Sequence, residues 1–444
     1  MDSARKSVIF LAPEPLGESL TGPAVRALKL AEAVAESCAV TLAAPAPSVF
    51  PDGPFRTVET GPQHDQRLAR ALVGHDVAVV QQLSSPRQLL SARRHATRLV
   101  ADLTAPLALE LAEVGDDRAA TRAAMRWRTQ QMLAHLALAD LVLCTNEKQK
   151  DLLIGAGMAA GMVDPGGTAP LQERLVVVPH GVDLGPPRPG RSLLRESGFA
   201  GESDRIAIWG GGIWSWLDPF TAIRAIERLR STRKDLKLAF VGLDHPDPVL
   251  RRAHAPLAME AMALVRDRGL EEVVGFLPRW LSRDDFAAHL RDADVGVSLN
   301  GETLEGRYAT RTRVLDYLTA GLPVVCTGGD TLSELVDSHD LGCVVRAGDV
   351  DGAADALDRL TRGGARRLED LAALERFTWG NVAQPLLEFC LSGEPGVNRN
   401  WRTSVGVAAR GYPPFLSAVY RTEGARGLAN AARTRAAGAL HRRR

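Results

Sequence analysis

Two arginines and a carboxylate lie close together in the segment RYATRTRVLDYLTAGLPVV. A helix over Tyr308–Leu318 would bring Arg311, Arg313 and Asp316 to neighbouring positions, and the AGLP sequence that follows would end it. A guanidinium group matches phosphate oxygens in charge and in geometry. We therefore predict that this helix binds a phosphate, with surface ion pairing as the alternative.

Three consecutive glycines follow a strand-like run in the second half of the chain. Gly210, Gly211 and Gly212 precede the sequence IWSWLDP, which contains Trp214. Glycines let a diphosphate approach the backbone closely. The GxGxxG spacing of dinucleotide-binding loops is absent. We predict a ligand loop here, and an ordinary turn is the alternative.

A similar loop lies near the N-terminus, where Gly17 and Gly22 precede a helix that contains Arg26. The N–H groups and the positive dipole end of a helix N-terminus suit a phosphate or sugar hydroxyls. An ordinary turn is again the alternative, since no P-loop ending follows. Asp102 and His180, each at the end of a strand-like run, are the other residues in this half of the chain that we predict to line a ligand site.

Several segments together resemble the family 4 retaining glycosyltransferases. The segment ending in AGLPVV resembles the donor site of that family, and further similar segments are GPAVR, VPHGVD and ADVGVS. The chain is most similar to an actinobacterial-type subgroup with a GGGxWxWxDP loop and an RTRxxDY helix. The resemblance covers most of the chain.

The donor-site segment also departs from the family pattern. The family has two glutamates separated by seven residues, and Tyr308 and Asp316 stand at those two positions. The arginine and lysine of the family's glycine loop are replaced by Ile213 and Asp218. Arg311 and Arg313 are our candidates for the missing positive charge, because a departing diphosphate needs neutralisation.

The resemblance implies that the acceptor contacts the first domain and the nucleotide the second. It implies metal-independent transfer with retention, in which the leaving phosphate takes the acceptor proton. Our own candidates for catalysis are Arg311, Arg313 and Asp316. The predicted donor contacts are Gly210, Gly211, Gly212, Trp214, Tyr308, Thr312 and Gly328.

Short apolar runs alternate with helical patterns along the chain. Such alternation predicts parallel sheets covered by helices on both faces. The first series of strands is predicted at 7–12, 39–43, 76–80, 98–102, 141–144 and 174–178. The second series is predicted at 205–209, 237–241, 273–276, 295–299, 324–326 and 343–345.

The predicted fold class is α/β, a GT-B fold with two doubly wound, Rossmann-like domains facing across a cleft. The acceptor-side domain is predicted at 1–185 and the nucleotide-sugar domain at 186–378, after a Pro/Gly-rich linker. A helix at 379–397 is expected to cross back to the first domain. A basic extension follows at 398–444, with ten arginines against one glutamate.

Composition limits the classes of partner. The chain has 444 residues, 45% of them hydrophobic, and a net charge of +1 that argues against nucleic acid. Five scattered cysteines indicate buried thiols in a cytoplasmic protein. Residues 398–444 are expected to be a solvated tail, and contact with anionic lipid at the inner face of the membrane is the alternative.

We therefore predict transfer of a sugar from a nucleotide-diphosphate sugar to a hydroxyl of a sugar, lipid-linked or small-molecule acceptor. No cofactor and no metal are expected. Polysaccharide, glycolipid and specialised-metabolite synthesis all remain open. The alternatives are a phosphorylase or nucleotide-sugar epimerase on the same scaffold, and a GT-B-like binding or scaffold protein that has lost catalysis.

Overall fold

The structure is a computed structural model that divides into two compact units. The first unit comprises Met1–Gly181 and the chain from Trp379 onwards, and the second comprises Val182–Thr378. The residues that the structure describes are 5–17, 20–61, 66–114, 118–162, 171–185, 190–362, 368 and 371–392.

The first unit contains a seven-stranded parallel sheet with the strand order β3-β2-β1-β4-β5-β6-β7. Its strands are β1 (Ser7–Leu11), β2 (Ala39–Pro45), β3 (Arg56–Thr60), β4 (Val77–Gln81), β5 (Arg98–Leu103), β6 (Leu141–Cys144) and β7 (Leu175–Val177). Its helices are α1 (Gly22–Ala35), α2 (Gln66–Leu72), α3 (Pro86–His95), α4 (Leu107–Glu110), α5 (Arg118–Leu138), α6 (Glu147–Ala159) and α7 (Leu171–Arg174), with a 3₁₀ turn at Leu111–Glu113.

The central strands of this sheet are buried on both faces, which explains their continuous apolar sequences. Val8 of β1 pairs with Val40 of β2 and with Val77 of β4. The sequence analysis missed β3, which is an edge strand with mostly exposed, polar residues. An edge strand with one neighbour needs no continuous apolar run, so apolar runs do not reveal it.

The second unit contains a six-stranded parallel sheet with the strand order β10-β9-β8-β11-β12-β13. Its strands are β8 (Arg205–Gly210), β9 (Leu236–Val241), β10 (Val274–Leu277), β11 (Val295–Ser298), β12 (Val324–Thr327) and β13 (Gly342–Val345). Its helices are α8 (Pro219–Leu229), α9 (Pro248–Asp267), α10 (Arg283–Asp292), α11 (Leu304–Tyr308), α12 (Thr312–Thr319), α13 (Thr331–Ser338), α14 (Val350–Thr361) and α15 (Ala372–Glu375).

Helices α16 (Trp379–Val382) and α17 (Gln384–Leu391) belong to the first unit. The guanidinium of Arg98 donates to the carbonyls of Phe389 and Cys390, at 2.6 and 2.9 Å. A cation at the last carbonyls of a helix satisfies them and complements the helix dipole. Arg98 thus attaches α17 to the sheet of the first unit.

The α/β class with two doubly wound parallel sheets is confirmed. All five cysteines are buried and free of disulfides. None of the helices in the described ranges is long and apolar enough to cross a bilayer. The basic extension predicted at 398–444 lies outside the described residues.

Candidate functional site

The loop after β8 begins where the strand order of the second sheet reverses, between β8 and β11. Ligands of open α/β sheets bind beside the carboxyl ends of the strands at such a switch point. Gly211 has φ = +83°, a conformation that favours glycine. A Cβ atom on Gly210 would lie 2.6 Å from the ring of Phe286. Packing and backbone conformation therefore both require glycines here.

Tyr317 attaches helix α12 to the two strands at the switch point. Its hydroxyl accepts from the N–H of Gly210 at 2.7 Å and donates to the carbonyl of Val297 in β11 at 3.2 Å. Burial raises the pKa of Tyr317 to about 12, so the hydroxyl keeps its proton. This buried contact fixes α12 against the glycine loop.

Arg313, in the first turn of α12, reaches the glycine loop directly. Its Nη2 donates to the carbonyl of Gly212 at 3.0 Å, and its guanidinium carbon lies 5.3 Å from the ring centre of Trp209. Its Nη1 is buried and has no hydrogen-bond partner among the described residues. The guanidinium of Arg313 is thus fixed in place while one of its N–H groups has no acceptor in that part of the chain, which suits it to an anionic ligand.

Arg311 has a different environment. Both of its terminal nitrogens donate to the carboxylate of Glu305, at 2.9 and 2.5 Å, and the two side chains are 7% and 1% exposed. This carboxylate neutralises the guanidinium that was predicted to contact phosphate. We therefore revise the role of Arg311 from phosphate contact to positioning.

The same ion pair explains why the prediction of one helix over Tyr308–Leu318 was wrong for its first four residues. Helix α11 ends at Tyr308, Ala309 is extended at φ −72° and ψ 160°, and α12 begins only at Thr312. The break turns Arg311 back towards Glu305 in α11. A buried tertiary pair has overridden local helix propensity.

The backbone N–H groups of the predicted donor glycines are mostly committed. Gly210 donates to Tyr317, Gly211 to the carbonyl of Val241 at 2.9 Å, and Gly328 to the carbonyl of Val345 at 3.0 Å. Within the described ranges, the Gly212 N–H has no such bond. Of these glycines, Gly212 therefore keeps the backbone donor that a ligand could use.

The remaining predicted donor residues surround this loop and helix. Asp316 is exposed on α12, and Thr312 and Tyr308 are half-buried at the ends of α12 and α11. Trp214 stacks on Trp216 with ring centres 5.7 Å apart and planes 6° apart.

Three buried polar atoms at the strand ends have no hydrogen-bond partner in the described part of the chain. They are Nε1 of Trp209, Oγ of Ser298 and Oδ1 of Asn300. Buried polar groups in proteins are normally satisfied, so each of these atoms could meet a ligand or water. Sequence analysis did not select Ser298, which lies in the strand predicted at 295–299, or Asn300, which directly follows that strand.

In the first unit, Arg26 and Asp102 form an ion pair in which each side chain is 1% exposed. Arg26 also donates to the carbonyls of Val178 and Pro179, at 2.9 and 2.7 Å. These contacts leave neither side chain a free surface for an acceptor. We revise their role to positioning of the segment that leads to His180.

His180 itself is half-buried and packs edge-on against Trp379, with ring centres 5.2 Å apart. Gly22 is exposed at the start of α1, and Gly17 is half-buried in the preceding loop. The Thr21 hydroxyl bonds Glu14 instead of capping α1. Among the described residues, no group of three His, Cys, Asp or Glu side chains could hold a metal ion.

Comparison with known proteins shows that part of the second unit matches a known family. Residues 209–362 match the family described as Glycosyl transferases group 1. A D-inositol 3-phosphate glycosyltransferase from Stackebrandtia nassauensis is 30% identical over 227 residues. The aligned region is 48% of this chain and 48% of that relative, so it spans about half the length of each.

Solved structures resemble the chain over nearly its whole length. Sucrose-phosphate synthase from Thermosynechococcus elongatus has a TM-score of 0.62 at 18% identity, covering 87% of this chain and 98% of its own. Anabaena HepE, solved with UDP and glucose, has a TM-score of 0.54 at 14% identity, covering 90% and 99%. A UDP-forming alpha,alpha-trehalose-phosphate synthase from Burkholderia xenovorans, solved with glucose-6-phosphate, has a TM-score of 0.60 at 14% identity, covering 87% and 99%.

The predicted GT-B architecture is therefore confirmed at the level of two parallel-sheet units. Residues 209–362 match the model of the Glycosyl transferases group 1 family, and the two units of the chain have the GT-B fold.

Proposed function

We propose that this protein is a glycosyltransferase that moves a sugar from a nucleotide-diphosphate sugar to an acceptor hydroxyl with retention of configuration. The observation that carries the proposal is Arg313, whose guanidinium is held at the glycine loop by Gly212 and Trp209 with Nη1 uncommitted. A fixed cation beside a glycine loop suits a leaving diphosphate.

In this mechanism the diphosphate accepts hydrogen bonds from Arg313 Nη1 and from the Gly212 N–H. The negative charge that grows on the departing phosphate then meets a donor that is already oriented, so little reorganisation is needed. Asp316 accepts hydrogen bonds from ribose hydroxyls. Arg311 and Glu305 hold the start of α12 in place.

We further propose that the acceptor binds in the first unit, near His180, Gly17 and Gly22. The leaving phosphate itself takes the acceptor proton, so no side-chain base is assigned. Arg313 provides the charge that a metal ion provides in other transferases, and we therefore propose that transfer needs no metal.

The comparisons support a sugar nucleotide as donor. The Stackebrandtia relative is named a glycosyltransferase, and the Anabaena structure holds UDP and glucose. Glucose-6-phosphate in the Burkholderia structure is an example of a small phosphorylated sugar in such a fold. We propose acceptors of the same broad class, namely sugars, lipid-linked sugars or small polyols, and contact of residues 398–444 with anionic lipid.

The test is a panel of nucleotide sugars, with and without a mixture of sugar acceptors, in which release of nucleoside diphosphate is measured. We expect acceptor-dependent release with at least one donor, unchanged by EDTA. Arg313→Gln should lower it by about a hundredfold or more, as for loss of an oriented transition-state donor. Arg224→Gln, an exposed arginine on α8, is the matched control and should leave it unchanged.

Three outcomes would contradict the proposal. Equal release by Arg313→Gln and the wild type would remove Arg313 from the mechanism. Nucleotide binding without turnover would instead favour a binding or scaffold protein. Formation of a sugar 1-phosphate from a glycoside and inorganic phosphate, without any nucleotide, would favour a phosphorylase.

A further inference from the structure

Helix α5 of the first unit carries a row of three exposed arginines. Arg118, Arg122 and Arg126 follow one another at intervals of four residues, so they lie on one face of the helix. The row is about 12 Å long, since a helix rises about 1.5 Å per residue. The 21 residues of α5 include no aspartate and no glutamate. This face of the helix is therefore uniformly basic.

The charges of the row are not neutralised by the chain around it. Within the described residues, none of the three arginines forms a salt bridge, and Nε of Arg122 donates to the carbonyl of Arg118 at 3.3 Å. The fourth arginine of the helix, Arg128, is half-buried and donates to Oε1 of Gln131 at 2.9 Å, so it is not part of the row. The charge of the row is thus open to a partner outside the chain.

This arrangement makes the helix less stable than it could be. Like charges four residues apart repel each other, and Arg118 lies at the positive end of the helix dipole. Proteins break such local rules mainly at sites that serve a function. The row therefore indicates an anionic partner, because it does not help the helix to form.

The surroundings of the row narrow the kind of partner. None of the described residues between positions 107 and 130 is buried, and none of them is an exposed large hydrophobic side chain. Binding of a protein usually depends on a buried aromatic or arginine anchor in a shaped pocket. An anionic lipid surface needs no such anchor, because it attracts several arginines at once through charge. A straight row also suits a flat surface, which can come within a Debye length of all three arginines, about 8 Å at physiological salt.

We propose that the α5 row, defined as Arg118, Arg122 and Arg126, binds an anionic lipid surface. Met125, half-buried and three residues after Arg122, lies beside the row and adds a small apolar contact. The proposal goes beyond the lipid contact of residues 398–444, because it assigns binding to one face of a folded helix. It does not depend on the transfer reaction.

The test is co-sedimentation of the full chain with two kinds of vesicle, phosphatidylcholine alone and an equal mixture of phosphatidylcholine and phosphatidylglycerol. The wild type should bind the mixed vesicles more tightly. Each arginine near an anionic surface contributes about fivefold in affinity, so changing Arg118, Arg122 and Arg126 together to glutamine should weaken that binding roughly a hundredfold. Changing the same three residues to lysine keeps the charge and should keep the binding, which separates loss of charge from a folding defect.

A matched control removes three exposed arginines elsewhere. Arg224, Arg230 and Arg266 are exposed in the second unit, and changing them together to glutamine should leave vesicle binding close to that of the wild type. Hydrogen exchange of the full chain then locates the contact. Mixed vesicles should slow exchange at 118–130, and phosphatidylcholine vesicles should not.

Three results would overturn the proposal. The first is equal affinity of the wild type and the glutamine variant of the α5 row for mixed vesicles. The second is protection from exchange that is confined to residues 398–444. The third is binding of the wild type to polyglutamate but not to mixed vesicles, which would assign the row to an acidic protein. Release of nucleoside diphosphate with a water-soluble acceptor should be the same in the glutamine variant and the wild type, so failure of the proposed function is a separate result.

Discussion

Replacing Glu305 with glutamine should destabilise the second unit strongly. The carboxylate of Glu305 is 1% exposed and receives both terminal nitrogens of Arg311, which is 7% exposed. Glutamine keeps the shape but removes the charge, so the guanidinium is left buried without a counter-ion. Breaking one side of a buried pair costs about 3–5 kcal/mol.

The expected effect is large enough to measure by thermal unfolding. For a unit of this size, each kcal/mol shifts the midpoint by about 2–4 °C, so Glu305→Gln should lower it by about 6–20 °C. Differential scanning calorimetry of the full chain can follow the transition of the second unit. Glu196→Gln breaks the exposed pair with Arg191, where the side chains are 48% and 73% exposed, and should change the midpoint little.

A double variant completes the test. Glu305→Gln with Arg311→Met removes the unpaired charge and should recover most of the lost stability, since apolar replacement of a buried pair is often neutral. A loss below about 1 kcal/mol in Glu305→Gln alone would refute the reasoning.

Three further outcomes are expected. Asp102→Asn leaves the buried Arg26 cation unpaired and should cost about 3–5 kcal/mol in urea unfolding of the first unit, and a loss below about 1 kcal/mol would contradict the positioning role. In the folded protein the pKa of His254 lies below its ordinary value of 6.5, so the unfolded chain takes up a proton first as the pH falls. The free energy of unfolding is therefore unaffected by His254 above pH 6.5 and decreases as the pH falls towards 4. His254→Phe should therefore reduce this decrease in unfolding free energy at acid pH. The decrease is at most about 3 kcal/mol, and solvent access to His254 makes it smaller. The control variant His339→Phe, at an exposed position, should keep the decrease. Proton NMR of the freshly formed glycoside should show the anomeric configuration of the donor, and an inverted product would exclude retention.

The sequence predicted the parallel sheets well because each buried strand requires a continuous apolar run. Strands such as β1 and β11 are therefore visible without any tertiary information. The edge strand β3 has no such requirement, and its polar sequence concealed it.

The sequence predicted which residue types form the candidate site, but not which residues contact one another. Arg311 and Arg313 looked equivalent in the sequence, yet one pairs with Glu305 and the other reaches Gly212. Such a difference depends on tertiary neighbours that spacing does not specify. Gly210 likewise looked like a ligand glycine, whereas the ring of Phe286 is what excludes a side chain there.

The sequence offered little indication of the cavity that lies beside α9. Ala255, Ala258 and Met262 mark one helical face, which alone would indicate ordinary core packing. Only the folded arrangement shows that this face borders an open volume next to Trp214. Pattern alone cannot distinguish a filled interface from an unfilled one.

The most direct test of the central claim is hydrogen exchange, followed by mass spectrometry, with and without a saturating nucleoside diphosphate. The account predicts slower exchange in the loop at 209–217 and in the segment at 300–313 of the second unit. Arg313→Gln should lose this protection, and Arg224→Gln should keep it. Protection confined to the first unit, or none at a concentration that calorimetry shows to be saturating, would contradict the account.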